Sequence, residues 1–328
     1  MRAVFYERTG PAPDVLSIDE MPTPVPGPGE VRVKVVWSGV NPSDVKSRAG
    51  LRSQTLPFPR IIPHSDGAGV IDEVGPNVPS TRVGERVWVW NAAWMRPFGT
   101  AAQYVVLPAE QAVSLPPNTD LAAGACLGIP ALTAYHSITA DGGVAGKNVL
   151  VAGGAGAVGH YAIQLAKIKG ARRIMATVSG PEKAALAREA GAETVLNYRT
   201  EDLPSAIHDA TGGQGVDRIV EVDFAANINT DIAILRPHAE VIVYGSGASE
   251  ISVPFSPAIR KGVHMYFFIV YNLPAEVRED AIADLSMLLE GNRLIHNIAA
   301  RLPLAQIAEA HDLVESGRVN GNVVLEVE

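Results

Sequence analysis

The feature that most restricts this chain is a glycine loop set between a strand-like run and an apolar helix. Val149-Leu-Val-Ala152 leads into Gly154-Ala155-Gly156-Ala157-Val158-Gly159, and residues 157–169 then read as a helix ending at Gly170. Glycine lets the backbone turn sharply and approach a pyrophosphate, while the helix N-terminus offers free N–H groups and partial positive charge. A G-x-G-x-x-G alone is a weak signal; the strand before it and the helix after it are what a dinucleotide site requires. Residues 148–166 carry no Asp, Glu, Lys or Arg, close to membrane-spanning length. Four glycines, Asn148, His160 and Gln164 interrupt that stretch, so it reads as a buried strand and helix.

The loop sits in a longer alternation of strands and helices. Strands are expected at 173–178, 194–197, 218–222 and 241–244, with helices over 182–190 and 226–235. Ser179-Gly-Pro-Glu182 has capping-box form, and Gly191 suits a left-handed helix end. This alternation predicts a doubly wound parallel sheet. The first third differs: short Val- and aromatic-rich runs at 1–6, 30–37, 69–74, 86–90 and 104–107 are separated by Pro/Gly clusters, which suggests an antiparallel, barrel-like domain. The tail carries an aromatic strand-like run (265–271), helices near 275–290 and 304–316, and a last strand at 323–327. A nucleotide domain (125–262) inserted between two pieces of a barrel-like domain (1–124 and 263–328) explains that order.

Composition removes several function classes. The chain has 328 residues, 47% of them hydrophobic, with 27 Lys plus Arg against 35 Asp plus Glu, a net charge of −8. Such a balance gives no general attraction to nucleic acid or anionic membranes. The N-terminus lacks the apolar core of a signal peptide, and a cytoplasmic location is expected. A single cysteine, Cys126, forms no internal disulfide and no Cys-rich zinc site.

The end of the second strand bears on which dinucleotide binds. NAD sites usually place Asp or Glu there for the ribose 2′-OH. Met175-Ala-Thr-Val-Ser-Gly180 has no carboxylate; Ser179 and Lys183 stand there instead, with Tyr198 and Arg199 after the next strand. Hydroxyls and a cation suit a 2′-phosphate, so NADPH is the expected cofactor. Glu182 is the one contrary charge.

The loop Val151-Ala-Gly-Gly-Ala-Gly-Ala-Val-Gly159 with Ala162-Ile-Gln-Leu-Ala-Lys167 resembles the medium-chain dehydrogenase/reductase superfamily, closest to its zinc-free, ζ-crystallin-like quinone oxidoreductases. Gly39-Val-Asn41-Pro-Ser-Asp44 with Arg48, Pro63-His-Ser-Asp66-Gly-Ala-Gly69, Gly84-Glu-Arg-Val87, Gly99-Thr-Ala-Ala-Gln-Tyr104 and Val243-Tyr-Gly-Ser246 extend the likeness along nearly the whole chain. The resemblance implies a GroES-like β-barrel domain with an inserted Rossmann domain, and an active site in the cleft between them. It also implies that Thr133 lies near the nicotinamide and that Gly245 and Ser246 pass along it. Zinc-dependent relatives have Cys where Asn41 stands and Gly-His-Glu where His64-Ser65-Asp66 stands, so no three-ligand zinc site can be assembled here.

Without a metal to activate an alcohol, the chemistry left is hydride delivery to an acceptor already polarised, a quinone or a conjugated carbonyl. Asn41, Asp44 and Arg48 are the orienting candidates. Asp44 and Arg48, spaced i,i+4, are expected to pair, and the Asn41 amide to donate to a carbonyl oxygen. His64, Asn91, Trp94 and Phe98 are candidates for the acceptor pocket, and no proton donor stands out. Lys46 and Arg52 occupy positions where some bacterial relatives have tyrosines, which points toward smaller or anionic acceptors. The leading reading is an NADPH-dependent quinone reductase; the alternatives are a double-bond reductase of the same fold and a non-catalytic NADPH-binding sensor. The aromatic run 265–271 suggests a homodimer joined through that strand.

Overall fold

The computed structural model describes residues 1–327, which form two units: residues 1–130 with 282–327, and residues 131–281. Through the first unit run β1 (Arg2–Phe5), α1 (Ala12–Val15), β2 (Ser17–Glu20), β3 (Glu30–Val40), α2 (Pro42–Arg48), β4 (Asp66–Val74), β5 (Arg86–Val89), β6 (Tyr104–Pro108), β7 (Ala112–Ser114) and α3 (Leu121–Gly124). The second unit begins with α4 (Leu132–Thr139), β8 (Asn148–Val151), α5 (Ala157–Ile168), β9 (Arg173–Val178), α6 (Pro181–Ala190) and β10 (Thr194–Asn197). It continues through α7 (Leu203–Ala210), β11 (Val216–Glu221), α8 (Phe224–Ile234), β12 (Leu235–Val243), α9 (Phe255–Lys261) and β13 (His264–Phe267). Helix α10 (Ala275–Glu290) contains the second boundary, and β14 (Ile298–Pro303), α11 (Ile307–Glu315) and β15 (Asn322–Glu326) return to the first unit.

In the first unit the strands run β14-β15-β3-β4-β5-β7, with β6 on the early half of β3. All pairs are antiparallel except β14–β15, which is parallel. Strand β3 is the hinge of this sheet: Glu30–Lys34 pairs with β6, and Trp37–Val40 pairs with β15. It alternates buried and open along Glu30–Val35, the period-2 pattern of a half-buried strand, and Val31, Val33 and Val35 feed a core shared with Ile62, Ile71, Val105 and Leu325.

The second unit is a six-stranded parallel sheet, order β10-β9-β8-β11-β12-β13. Chain order reverses on either side of β8, and a crevice at the carboxyl ends of the strands on each side of such a reversal is where ligands bind in doubly wound sheets. Its central strands are buried on both faces: every residue of β8 and β11 is buried. Among the described residues no helix is long and apolar enough to cross a membrane.

The unit boundaries fall later than 124/125 and 262/263. Residues 125–130 stay with the first unit because the Ile129 N–H donates to Asp66 Oδ2 at 2.9 Å, and Gly128 packs so close to Asp66 that a Cβ would lie 2.2 Å from its Oδ1. Residues 263–281 stay with the second, where β13 pairs with β12 and Arg278 donates to the carbonyls of Val270 and Tyr271. Helix α6 also begins differently from expectation. Its N-cap is Gly180, with Pro181 at the first helical position and no side-chain cap, so Ser179 stays at the end of β9 and forms no capping box.

Candidate active site

The glycine loop carries the second unit's site. Gly153 turns at φ 68° and its N–H donates to Thr177 Oγ1 at 3.2 Å, tying the loop to β9. Gly156 is the N-cap of α5 and supplies no side-chain cap, so the first N–H groups of that helix gain no partner from the cap residue's side chain. At Gly159 a Cβ would lie 2.3 Å from the Gly153 oxygen; only glycine permits this approach. Ala155, Ala157 and Val158 add no charge to the cradle.

Strand pairing brings the proposed 2′-phosphate group together. Asn197 is in register with Val178, and the Tyr198 N–H donates to the Val178 oxygen at 3.1 Å, placing Ser179 and half-exposed Tyr198 side by side at the ends of β9 and β10. Lys183 lies in the first turn of α6. These residues fit an anionic dinucleotide: a helix N-terminus with no side-chain cap, a glycine-rich loop whose other residues are uncharged, and no carboxylate at the end of β9. Thr133 is buried within α4, and Gly245 and Ser246 follow β12, where the Ser246 hydroxyl donates to the Ala248 oxygen at 2.7 Å.

Beside the loop is a cavity of about 210 Å³ lined by Gly153, Thr177, Tyr198, Glu221, Asp223 and Asp231 among others. Glu221 Oε1 accepts from the Asp223 N–H at 2.5 Å and from Asn227 Nδ2 at 3.0 Å. Burial raises Glu221, and burial together with Glu221 raises Asp231, so the pair disfavours carrying two negative charges. Sequence reasoning missed this pair, whose members stand ten positions apart on β11 and α8.

A cavity of about 270 Å³ lies in the first unit, walled by Leu56, Phe58, Ile61, Trp94 and Met95, with Asp44, Arg52, His64, Arg96, Tyr6 and several serine and threonine hydroxyls among its polar members. The structure thus brings together His64, Trp94 and Asp44. Asn91 and Phe98 do not line it: Asn91 is buried and its carbonyl accepts from Arg96, while Phe98 is bridged to Ile62 with its ring half exposed. His64, Asn91 and Met95 all hold positive φ (78°, 55° and 56°), a concentration of backbone strain around one cavity.

Asn41, Asp44 and Arg48 occupy α2 but not as expected. Asn41 caps the helix in extended conformation, Pro42 starts it, and Asp44 at the third position returns a bond from the Asn41 N–H at 2.9 Å. Asn41 Nδ2 donates to Asp66 Oδ2 at 2.8 Å, so the amide links two buried carboxyls and is not free for an acceptor in the manner anticipated. Burial, the largest cause, lifts Asp44 to about 7 against the bonds it receives from Asn41 and Ser65, and Asp66 rises further, again mainly by burial. The expected Asp44–Arg48 pair does not form. Arg48 points away to Glu315 (2.6 Å) and the Gly10 oxygen (2.6 Å), because the capping box holds the Asp44 carboxyl at the start of the helix.

His64 belongs to a buried chain whose hydrogens can be assigned. Thr100 Oγ1 lies 2.5 Å from the Asp66 carbonyl oxygen, which only accepts, so the one Thr100 hydroxyl hydrogen is used there. Ser38 then donates to Thr100 (2.8 Å) and accepts from His64 Nδ1 (2.8 Å). A neutral ring protonated at Nδ1 has a bare Nε2, which takes the N–H of His311 Nε2 at 2.9 Å. Both rings are neutral: burial and His311 hold His64 well below the usual range, and burial then Arg48 lower His311 to about 3.

A zinc ion does not fit the first unit. Asn41 is committed to Asp66, Ser65 stands at the usual ligand-histidine position, and the buried Cys126 thiol donates to the Ala122 oxygen at 3.4 Å with its pKa pushed up by burial. Among the described residues no group of three or more His, Cys, Asp or Glu is arranged to hold a metal.

Two protein-family models match the chain: the alcohol dehydrogenase GroES-like domain over residues 27–117, and the zinc-binding dehydrogenase over residues 157–287. A quinone oxidoreductase of Pongo abelii is 31% identical over 330 residues, covering 99% of this chain and 97% of its own length. A 2-haloacrylate reductase of a Burkholderia species is 30% identical, covering 99% of this chain and 98% of its own. Among solved structures, a mycobacterial protein complexed with NADPH superposes with a TM-score of 0.87 at 27% identity, over 99% of each chain.

Proposed function

The chain belongs to the medium-chain dehydrogenase/reductase superfamily, and on that premise we propose that it is an NADPH-dependent oxidoreductase that reduces a quinone without zinc. The observation that carries the reading is the α5 N-terminus, which has no side-chain cap, behind a glycine-rich loop, with Ser179 and Tyr198 at neighbouring strand ends and Lys183 in the first turn of α6 where an NAD site would have a carboxylate. NADPH supplies the hydride; the protein orients it and excludes water. A quinone needs no Lewis acid, and the mostly apolar first-unit cavity suits a flat, electron-poor ring.

A second reading, reduction of a conjugated carbon–carbon double bond, is favoured by Asp44, a buried carboxyl on the cavity wall held near neutrality. Saturating such a bond requires a proton on carbon, which a quinone does not. Assembly as a homodimer through β13 is part of this proposal: β13 is an edge strand of the parallel sheet and Phe267 on it is 56% exposed.

The test is anaerobic NADPH oxidation followed at 340 nm, with a quinone and an α,β-unsaturated ketone offered in parallel and NADH as control. Quinone turnover with NADPH preferred is the expected result. Turnover of the enone alone moves the function to double-bond reduction. NADPH binding with no turnover of either sinks the enzyme reading in favour of a sensor.

A further inference from the structure

We propose that Asp44 is the general acid of the first-unit cavity, giving its proton to the α-carbon of a conjugated carbonyl as the β-carbon receives hydride. The proposal rests on the reading above that this cavity receives the acceptor.

Of the protic groups on the cavity wall, only one can serve. His64 has both ring nitrogens spent, Nδ1–H on Ser38 and Nε2 on His311, so it has no hydrogen to give an acceptor. Tyr6 is a phenol pushed up to about 12, by burial first and then by Asp44, which makes it a far weaker acid than the Asp44 carboxyl. Arg52 and Arg96 are permanent cations, and Arg96 is turned toward Gln111 and the Asn91 oxygen. The serine and threonine hydroxyls of the wall are too weakly acidic. Asp44 remains. Its carboxyl is buried, lines the cavity, and is fixed by the Asn41 and Ser65 N–H groups, so it cannot swing away when an acceptor enters.

The surroundings supply reasons for a neutral carboxyl. Asp66, also buried, lies on the other side of Asn41, and two buried carboxylates held to the same residue disfavour double ionisation. The opposing cation is Arg52 at the exposed rim; Arg48, the nearer guanidinium in sequence, is directed to Glu315. In the step itself, the β C–H bond forms with the hydride pair from NADPH and the C=C pair moves toward the carbonyl. The Asp44 O–H bond breaks as the α C–H bond forms, leaving a carboxylate that regains its proton from water. One NADPH becomes NADP⁺ and one double bond is saturated.

The experiment uses the full-length protein with NADPH and compares an enone with a quinone from pH 5 to 9. Enone kcat is expected to be flat below about pH 7 and to fall as Asp44 ionises, whereas quinone kcat has no such limb. Asp44→Asn keeps an oxygen for the Asn41 N–H and is expected to lower enone kcat by about 100-fold or more, at least tenfold beyond any loss with the quinone. Should that variant fail to fold, the solvent deuterium isotope effect on wild-type turnover decides: large for the enone, near unity for the quinone. Equal losses for both substrates, or no pH limb, overturns the assignment. Wild-type turnover of the quinone and not the enone also overturns it while leaving the quinone reading intact, and turnover of neither defeats the underlying reading.

Discussion

Arg48 and Glu315 stand 267 positions apart in the chain and meet at 2.6 Å, with Arg48 1% exposed and Glu315 43% exposed. That asymmetry of burial decides which half of the pair matters. Removing Glu315 strands a guanidinium in the interior, and a buried charge that loses its partner costs about 3 kcal/mol. Removing Arg48 releases the carboxylate to water. Urea denaturation is therefore expected to rank Glu315→Ala as the more damaging change and Arg48→Met as the milder one, at about 1 kcal/mol.

The neutral pair His64–His311 predicts a pH dependence of stability. Both folded pKa values are depressed, so their contribution is present above the unfolded value near 6.5 and is lost as pH falls below it, for His311 down to about 3. Between pH 8 and 5 each neutral buried histidine costs about 2 kcal/mol of stability through the unfolded state's extra proton. His311→Gln retains a donor for His64 Nε2 and removes one of the two, so its loss over this range should be about 2 kcal/mol smaller than wild type. Imidazole ¹⁵N shifts offer an independent check: His64 protonated at Nδ1, His311 at Nε2, neither titrating at pH 5.

Cofactor choice is expected to follow Ser179 and Lys183. A carboxylate at position 179 places negative charge where the 2′-phosphate reading needs a donor, and a hydrogen bond to a charged group contributes about 1.5–3 kcal/mol. Ser179→Asp should lower the NADPH-to-NADH ratio of kcat/KM by about tenfold or more, and Lys183→Ala by a similar factor. A ratio that stays constant in both variants would place the phosphate elsewhere.

Arg218 is wholly buried in β11, where it pairs with Glu240 at 2.8 Å and donates to the carbonyls of Ser137, Ile138 and Ala140. Those carbonyls lie at the end of α4, where intrahelical donors run out; the Ala140 oxygen also accepts from the Gly143 N–H at 3.0 Å. Arg218→Met should cost about 3–5 kcal/mol, and amide exchange should quicken first in α4. Uniform quickening across the second unit would show that Arg218 acts on the sheet instead.

The contrast between what the sequence revealed and what it hid follows interaction range. The glycine loop, the strands at Arg173–Val178 and Thr194–Asn197, and the left-handed end of α6 at Gly191 (φ 115°) rest on neighbours a few positions away, and they were legible. Helix α7 was not foreseen, having only one buried residue, Ile207. The i,i+4 spacing of Asp44 and Arg48 misled because both partners are taken elsewhere, one by a cap and the other by a residue far along the chain. His311 left a usable trace: with Ile307 and Ala310 it falls on the buried face of α11, where a histidine must find a polar partner.

The Asn41 bridge restricts how this sequence can drift. A thiol at position 41 would strip Asp66 of its amide donor and α2 of its cap in one step, leaving a buried carboxyl with only the Ile129 N–H. Positions 41, 44 and 66 are therefore epistatically locked: a lineage moving toward metal ligation at this place must change them together, and libraries that vary one at a time will return mostly misfolded clones.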